Sequence, residues 1–320
     1  MHDSPAIYKS THGFLFSLGD DRLSIAIITK NRYACIKLDI QAIDMSTNKL
    51  PKIAIIGAGW LGKPLAQQLR SQNYPLTVSC SHQEKASSLA NQGIPAVSAT
   101  LASVPQGDWQ GLLADKDIAI CLLPASRGNH ADTPLAEQIN QLLILLKQYN
   151  VGKFIFVSST SIYQKTDNSL TETSPLNPTS TVYAAEQLIQ QQHNIDYTII
   201  RFAGLISQDR NPTRSLSKKS ANGHVFDAGA SPVNLIHQND AMGVIQQVIK
   251  QQCWGEIFNA CSDHHASRET FYQQGAKQLG ITIPTFTVDN SKPHCIIAND
   301  KLKQQLNYQF KHNSATDLVV

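Results

Sequence analysis

The stretch KIAIIGAGWLG, residues 52–62, places Gly57, Gly59 and Gly62 in the spacing GxGxxG between an apolar run and KPLAQQLRSQ. The chemistry open to such a stretch is the holding of a pyrophosphate. Gly57 would permit the tight turn, Gly59 would let the backbone approach the phosphates, and Gly62 would let the following helix pack closely on the strand. Trp60 and Leu61 fill the positions between, where a helix start offers unpaired N–H groups and the positive end of its dipole. These five residues are the candidate dinucleotide-phosphate site.

The choice between NAD and NADP is made at the end of the second strand, where an acidic residue takes the ribose 2′-hydroxyl of NAD. PLTVSCS is the second strand here, and Cys80, Ser81 and His82 stand where that acid belongs. Ser81, His82 and Lys85 can face a 2′-phosphate, which favours NADP over NAD. The alternative is that His82 and Lys85 are ordinary polar residues opening the next helix.

The elements that must position these groups alternate. DIAICLLP (117–124), KFIFVSS (153–159), YTIIRFAGLI (197–206) and EIFNAC (256–261) are short, continuous apolar runs of the kind buried on both faces of a sheet. LAEQINQLLILLKQYN lies between the first two with helical apolar spacing. Strands separated by helices predict an α/β fold of the Rossmann type, a doubly wound parallel sheet.

Bulk properties fit an enzyme-sized globular protein. The 320 residues are 42% apolar, and 27 Lys and Arg against 24 Asp and Glu include no basic block that would mark a nucleic-acid or membrane surface. SLSKK at 215–219 is the densest basic spot and reads as a solvated loop. The six cysteines are scattered without a CxxC pair or matching His spacing, which supports neither a zinc nor a redox site and suggests a reducing, cytoplasmic setting. No apolar run approaches the roughly 20 residues a membrane span needs.

Residues 1–44 carry strand-like pieces, SIAIIT and YACIKLDI, but no chemical constellation. Met45 lies just before the fingerprint strand. The expectation is that residues 1–44 are either a poorly packed extension or an upstream misassigned start, with the working fold spanning 45–320; intact mass of the native protein separates the two.

FIFVSSTSIYQ (154–164), GAGWLG, RFAGLISQDRNP (201–212), VNLIHQNDA (233–241) and GEIFNACSDHHASRETFY (255–272) together resemble the extended short-chain dehydrogenase/reductase superfamily. Within it the chain looks most like the YeeZ-type bacterial subgroup of the NAD-dependent epimerase/dehydratase proteins. The resemblance runs from about residue 52 to 318. It implies a Rossmann domain binding NAD(P), a small C-terminal substrate lobe built from segments after about 205, a small-molecule substrate and a homodimer. NLIHQND resembles the return from lobe to core, with Asp240 placed to cap the next helix and His237 structural.

The resemblance also implies catalytic roles. In active members a Ser or Thr after the fifth strand holds the substrate oxygen, a Tyr exchanges the proton, and a Lys four residues on favours the phenolate of a group whose ordinary pKa is near 10. Ser159 matches the serine, against an alternative role in satisfying local backbone groups. Tyr183 stands near the tyrosine position, but its fourth residue onward is Gln187, so the YxxxK motif is broken. In a second register Pro178 falls at the tyrosine position and Tyr183 has no inherited role. Glu186, Asp196 and Asp209 are the nearby acids, while Arg201, Arg210 and Arg214 could meet a phosphate or carboxylate or face solvent from a loop. Two functions stay open: an NAD(P)-dependent oxidoreductase or epimerase/dehydratase acting on a nucleotide sugar or other phosphorylated small molecule, and a dinucleotide-binding sensor or interaction protein without that chemistry.

Overall fold

The structure is a computed structural model that describes residues 49–124, 133–287 and 293–313, and the backbone of 7–9, 14–19, 22–29 and 32–38. The chain divides into two units, Met1–Lys49 and Leu50–Val320. In the first, β1 (Ile7–Lys9), β2 (Phe14–Gly19), β3 (Arg22–Thr29) and β4 (Arg32–Leu38) form a four-stranded antiparallel meander. The strand-like piece SIAIIT falls on β3 and the first six residues of YACIKLDI on β4, the last two lying outside the described residues.

The second unit opens with β5 (Ile53–Ile56), α1 (Gly62–Ser71), β6 (Leu76–Cys80), α2 (Gln83–Asn91), β7 (Ala96–Thr100), β8 (Gln106–Gly107) and α3 (Trp109–Leu113). It continues through β9 (Ile118–Cys121), α4 (Leu135–Gln148), β10 (Lys153–Ser159), β11 (Ser169–Leu170), α5 (Tyr183–Gln190) and β12 (Asp196–Phe202). The last third holds β13 (Gly204–Ile206), α6 (Pro212–Ala221), β14 (Val225–Phe226), β15 (Leu235–His237), α7 (Gln238–Gln251) and β16 (Glu256–Ala260). It closes with α8 (Arg268–Leu279), β17 (Thr285–Phe286), β18 (Ile296–Ile297) and α9 (Asp300–Leu306).

Eight strands build one sheet in the order β16-β12-β10-β9-β5-β6-β7-β8, parallel throughout except for β8 at the edge. The sequence dictates this core: Ile53, Ala54, Ile55, Ile118, Ala119, Ile120, Cys121, Phe154, Ile155 and Phe156 are all fully buried, as strands covered by helices on both faces require. The chain winds from β5 outward through β6, then returns to β9 on the other side of β5. The loops after β5 and β9 therefore diverge at a topological switch point, the place where open α/β sheets bind ligands. YTIIRFAGLI is not one strand: it breaks at Ala203 into β12 and β13, and β13 pairs with β15 in a separate two-stranded ribbon.

A second, small core of Ile206, Val233, Leu235 and Phe271 lies among the segments after β12. SLSKK, expected as a loop, is part of α6. Pro212 opens that helix, and the Asn211 side chain caps it by accepting from the Thr213 N–H at 2.9 Å. Arg214 is accordingly a helix residue, exposed to solvent.

Candidate functional site

The glycine turn is held at the end of β5 by its neighbour β6. Ser79 accepts twice there, through Oγ from the Gly57 N–H at 3.1 Å and through its carbonyl from the Ala58 N–H at 2.7 Å. Gly57 has φ +105°, a conformation that strains any side chain. A Cβ on Gly62 would stand 2.0 Å from the Gly57 carbonyl oxygen, so only glycine lets α1 start this close to the strand. Gly59 differs: among the described residues a Cβ there would meet nothing within 4 Å. Its exposed face is open. The Trp60 and Leu61 N–H groups find no acceptor among the described residues, and Leu61 at the helix start offers no side-chain cap. An open, donor-rich cradle at a helix start fits the pyrophosphate of a dinucleotide, so the residues present suit the cofactor the fold implies.

At the tip of β6, Ser81, His82 and Lys85 are all exposed, with His82 just before α2 and Lys85 in its first turn. Cys80, one residue before Ser81, is buried, and burial pushes its thiol pKa up. No carboxylate stands at the strand tip itself; Glu84 is the acid in the first turn of α2.

The two candidate catalytic residues are not joined. Ser159 ends β10 and caps the following turn, its Oγ accepting from the Ser161 N–H at 3.1 Å. Tyr183 is the first residue of α5; it is half-buried against the main core, and its hydroxyl makes no hydrogen bond among the described residues. Gln187 lies one turn further along the same helix.

Beneath Ser159 lies a buried polar network absent from the sequence-level expectations. Arg201, expected near a strand end where it could meet a ligand, is only 1% exposed and is pinned to Glu186, 0% exposed, at 2.6 Å. Strand register sets the row: Arg201 lies opposite both Ser158 on β10 and Asn259 on β16. The Ser158 hydroxyl donates to Glu186 Oε1 at 2.5 Å, the Arg201 Nη1 group donates to Tyr163 Oη at 2.8 Å, and the Tyr163 hydroxyl donates to Asn259 Oδ1 at 2.6 Å. Burial alone would lower the Arg201 pKa, but its hydrogen bonds and charge pairing with Glu186 carry it upward. Burial pushes the Tyr163 phenol up, against the opposing pull of Arg201. The signal was an arginine inside the apolar run TIIRFA: an ionic group in a buried strand requires a buried counter-charge. Of the other acids, Asp196 is exposed at the far end of β12, and Asp209 stands beside the glycine turn.

A cavity of about 830 Å³ adjoins that turn. Gly59, Trp60, Lys63 and Pro64 form one side, and residues 207–209, 237–238 and 311–312 form the rest. Trp60 spans the gap: its indole N–H donates to Asp209 Oδ1 at 3.2 Å, its carbonyl accepts from Gln238 Nε2 at 2.7 Å, and the Arg210 guanidinium lies 4.9 Å over its ring. Arg210 thus sits on an aromatic face rather than loose in a solvent loop. Asp240 does not cap α7. The cap is His237, whose Nδ1 accepts from the Asn239 N–H at 3.2 Å, while the fully buried Asp240 carboxylate receives the C-terminal segment instead. None of Ser81, Lys85, Ser159 or Tyr183 lines this cavity.

Residues 57–228, more than half the chain, match the family described as NAD(P)H-binding. The chain belongs to that family. It is also 31% identical over 271 residues to Protein YeeZ of Escherichia coli (strain K12), covering 82% of this chain and 97% of that one. This places it with the YeeZ-type members of the superfamily. Among solved structures it shares the fold of the UDP-glucuronic acid 4-epimerase from Bacillus cereus in complex with NAD, at TM-score 0.69 and 19% identity, covering 84% and 94% of the two chains. It shares it equally with the UDP-N-acetylglucosamine 4-epimerase from the same organism, at TM-score 0.67, 15% identity and 84% and 96% coverage. The fold is that of the short-chain dehydrogenase/reductase and epimerase/dehydratase proteins. No helix among the described residues is long and apolar enough to cross a membrane.

Proposed function

We propose that the protein is an NAD(P)-dependent oxidoreductase or epimerase/dehydratase-like enzyme acting on a phosphorylated or nucleotide-linked small molecule. The observation that carries this reading is the cradle at Gly59: a backbone face open among the described residues, Trp60 and Leu61 N–H groups without an acceptor among them, and a position at the switch point of the sheet. When bound, the nicotinamide supplies or accepts the hydride. The chain's own groups do the rest. Gly57, Gly59 and Gly62 with Trp60 and Leu61 hold the diphosphate, and Ser81, His82 and Lys85 meet the adenosine ribose. The basic character of His82 and Lys85 and the lack of an acid at the strand tip favour NADP. Ser159 turns its hydroxyl from the local cap to the substrate oxygen, and Tyr183 or a water carries the proton. By family likeness the working unit is a homodimer.

A second reading, a dinucleotide-binding sensor or interaction protein without dehydrogenase chemistry, is favoured by one observation. Tyr183 has a neutral Gln187 one turn on, where an ammonium would stabilise the phenolate. The experiment that separates the readings measures two things on the full-length chain: dinucleotide binding, and NAD(P)H turnover against a panel of carbonyl compounds and nucleotide sugars. Binding with turnover supports the enzyme. Binding without turnover supports the sensor. Absence of binding removes both.

A further inference from the structure

The wall of the cavity that faces the glycine turn comes from the end of the chain and is built around one carboxylate. Asp240 is 0% exposed and accepts from the Tyr308 hydroxyl at 2.9 Å, the Lys311 N–H at 2.8 Å and the His312 N–H at 2.9 Å. The His312 ring is bound to the same carboxylate through Nδ1 at 3.0 Å. This clamp lays the His312 ring on that of His237, with centroids 3.7 Å apart and planes inclined by 20°. His237 Nδ1 already accepts from the Asn239 N–H, so its ring carries its proton, when neutral, on Nε2. The His312 ring meets Asp240 through Nδ1, and its Nε2 has no hydrogen-bond partner among the described residues.

Among the described residues, the charged and titratable groups around the pair come from four places. α1 contributes Lys63, and the C-terminal segment contributes Lys311 and Tyr308, whose phenol is pushed up by burial and by its bond to Asp240. Residues 207–210 contribute Asp209, hydrogen-bonded to Ser207 and Trp60 and flanked by Arg210, and α7 contributes the committed Asp240. Two ammonium groups and two imidazoles thus face a cavity whose carboxylates are already engaged.

We infer that the His237–His312 pair, together with Lys63 and Lys311, is an anion-binding wall that takes up a proton when a phosphate-type group enters the cavity. A cation on His237 would lie in a part-buried position against the stacked His312 ring, and an entering dianion offsets that cost. In agreement, burial and then the neighbouring His312 hold the His237 pKa down. The group could be the dinucleotide's own diphosphate or a phosphate of the substrate; the chemistry at the wall is the same. The inference rests on the proposed enzyme reading only in the second case.

Trp60 lines the cavity and reports on it. Sulfate, which stays a dianion from pH 6 to 8, is titrated into the full-length protein while tryptophan fluorescence is followed. Sulfate should bind more tightly at pH 6 than at pH 8. Lys311→Ala, an exposed side chain whose loss leaves the backbone bond to Asp240 intact, should weaken it about five-fold at both, as for one lost charge-assisted contact. His237→Asn, which keeps a helix cap, should flatten the pH dependence. Repeating the titration with NADPH present identifies the source: competition assigns the wall to the dinucleotide diphosphate, and independent binding assigns it to the substrate. Absence of sulfate binding, pH-independent affinity in the wild type, or unchanged affinity in Lys311→Ala would overturn the inference. NADPH binding is read separately, so either idea can fail without the other.

Discussion

Gly59 and Gly62 carry the same residue type three positions apart, and the structure predicts opposite consequences for replacing them. In Gly62→Ala the new methyl would lie 2.0 Å from the Gly57 carbonyl oxygen and 3.1 Å from Leu122 Cδ1. The first contact is with backbone that cannot swing away, so α1 must shift off β5, at a cost of about 1–3 kcal/mol or more by analogy with overpacked cores. In Gly59→Ala the methyl meets no atom of the described residues within 4 Å, and the backbone there is not left-handed. Unliganded stability should therefore hold or rise by roughly 0.4–1 kcal/mol through a less flexible unfolded chain. The loss appears only with ligand. A dinucleotide at about 100 times its dissociation constant stabilises a protein by about 2.7 kcal/mol, a Tm rise of roughly 4–5 °C at this size. That rise should be present in the wild type and absent in Gly59→Ala. Thermal unfolding of the three proteins, with and without NADPH, is the assay. A Gly59→Ala protein that gains the full shift would refute the assignment of Gly59 to the phosphate approach.

Three further outcomes follow from the same structure. Glu186→Gln leaves Arg201 buried without its counter-charge and should cost about 3–5 kcal/mol in urea unfolding, whereas a loss under about 1 kcal/mol would contradict the network. Because burial and His312 keep the folded His237 pKa below its unfolded value near 6.5, the unfolded chain binds the extra proton. Stability should thus be whole above about pH 6.5 and fall as pH drops below it, with His265, also held down by burial, adding to the slope. His237→Asn, which keeps a helix cap, should make that acid-side slope shallower in urea midpoints at pH 5.5 and 7.5. Gln187→Lys should raise NADPH-linked carbonyl reduction if Tyr183 is the proton donor; unchanged turnover in a normally folded variant would set Tyr183 outside the chemistry.

The parallel sheet was legible because β5, β9 and β10 are continuous apolar runs that can lie only inside a doubly covered sheet. The glycine turn was legible because its spacing encodes backbone geometry directly. What stayed hidden depends on contacts between distant segments. Nothing near Arg201 in sequence reveals that Glu186 faces it across the α5–β12 contact, or that Asp240 receives a segment 68 to 72 residues later. His237 was read as structural and indeed caps α7, yet the same ring lines a cavity, a pairing of roles that local sequence does not display. The break at Ala203 was likewise invisible, since YTIIRFAGLI is apolar on both sides of it.

The central claim is that the turn at Gly57–Gly62 binds a nicotinamide dinucleotide. Calorimetric titration of the full-length protein with NADPH and NADH tests it most directly. The account predicts saturable binding at one site per chain, with NADPH the tighter ligand because His82 and Lys85 stand where an acid would favour NADH. No heat of binding from either, with a folded protein in the cell, would contradict the account.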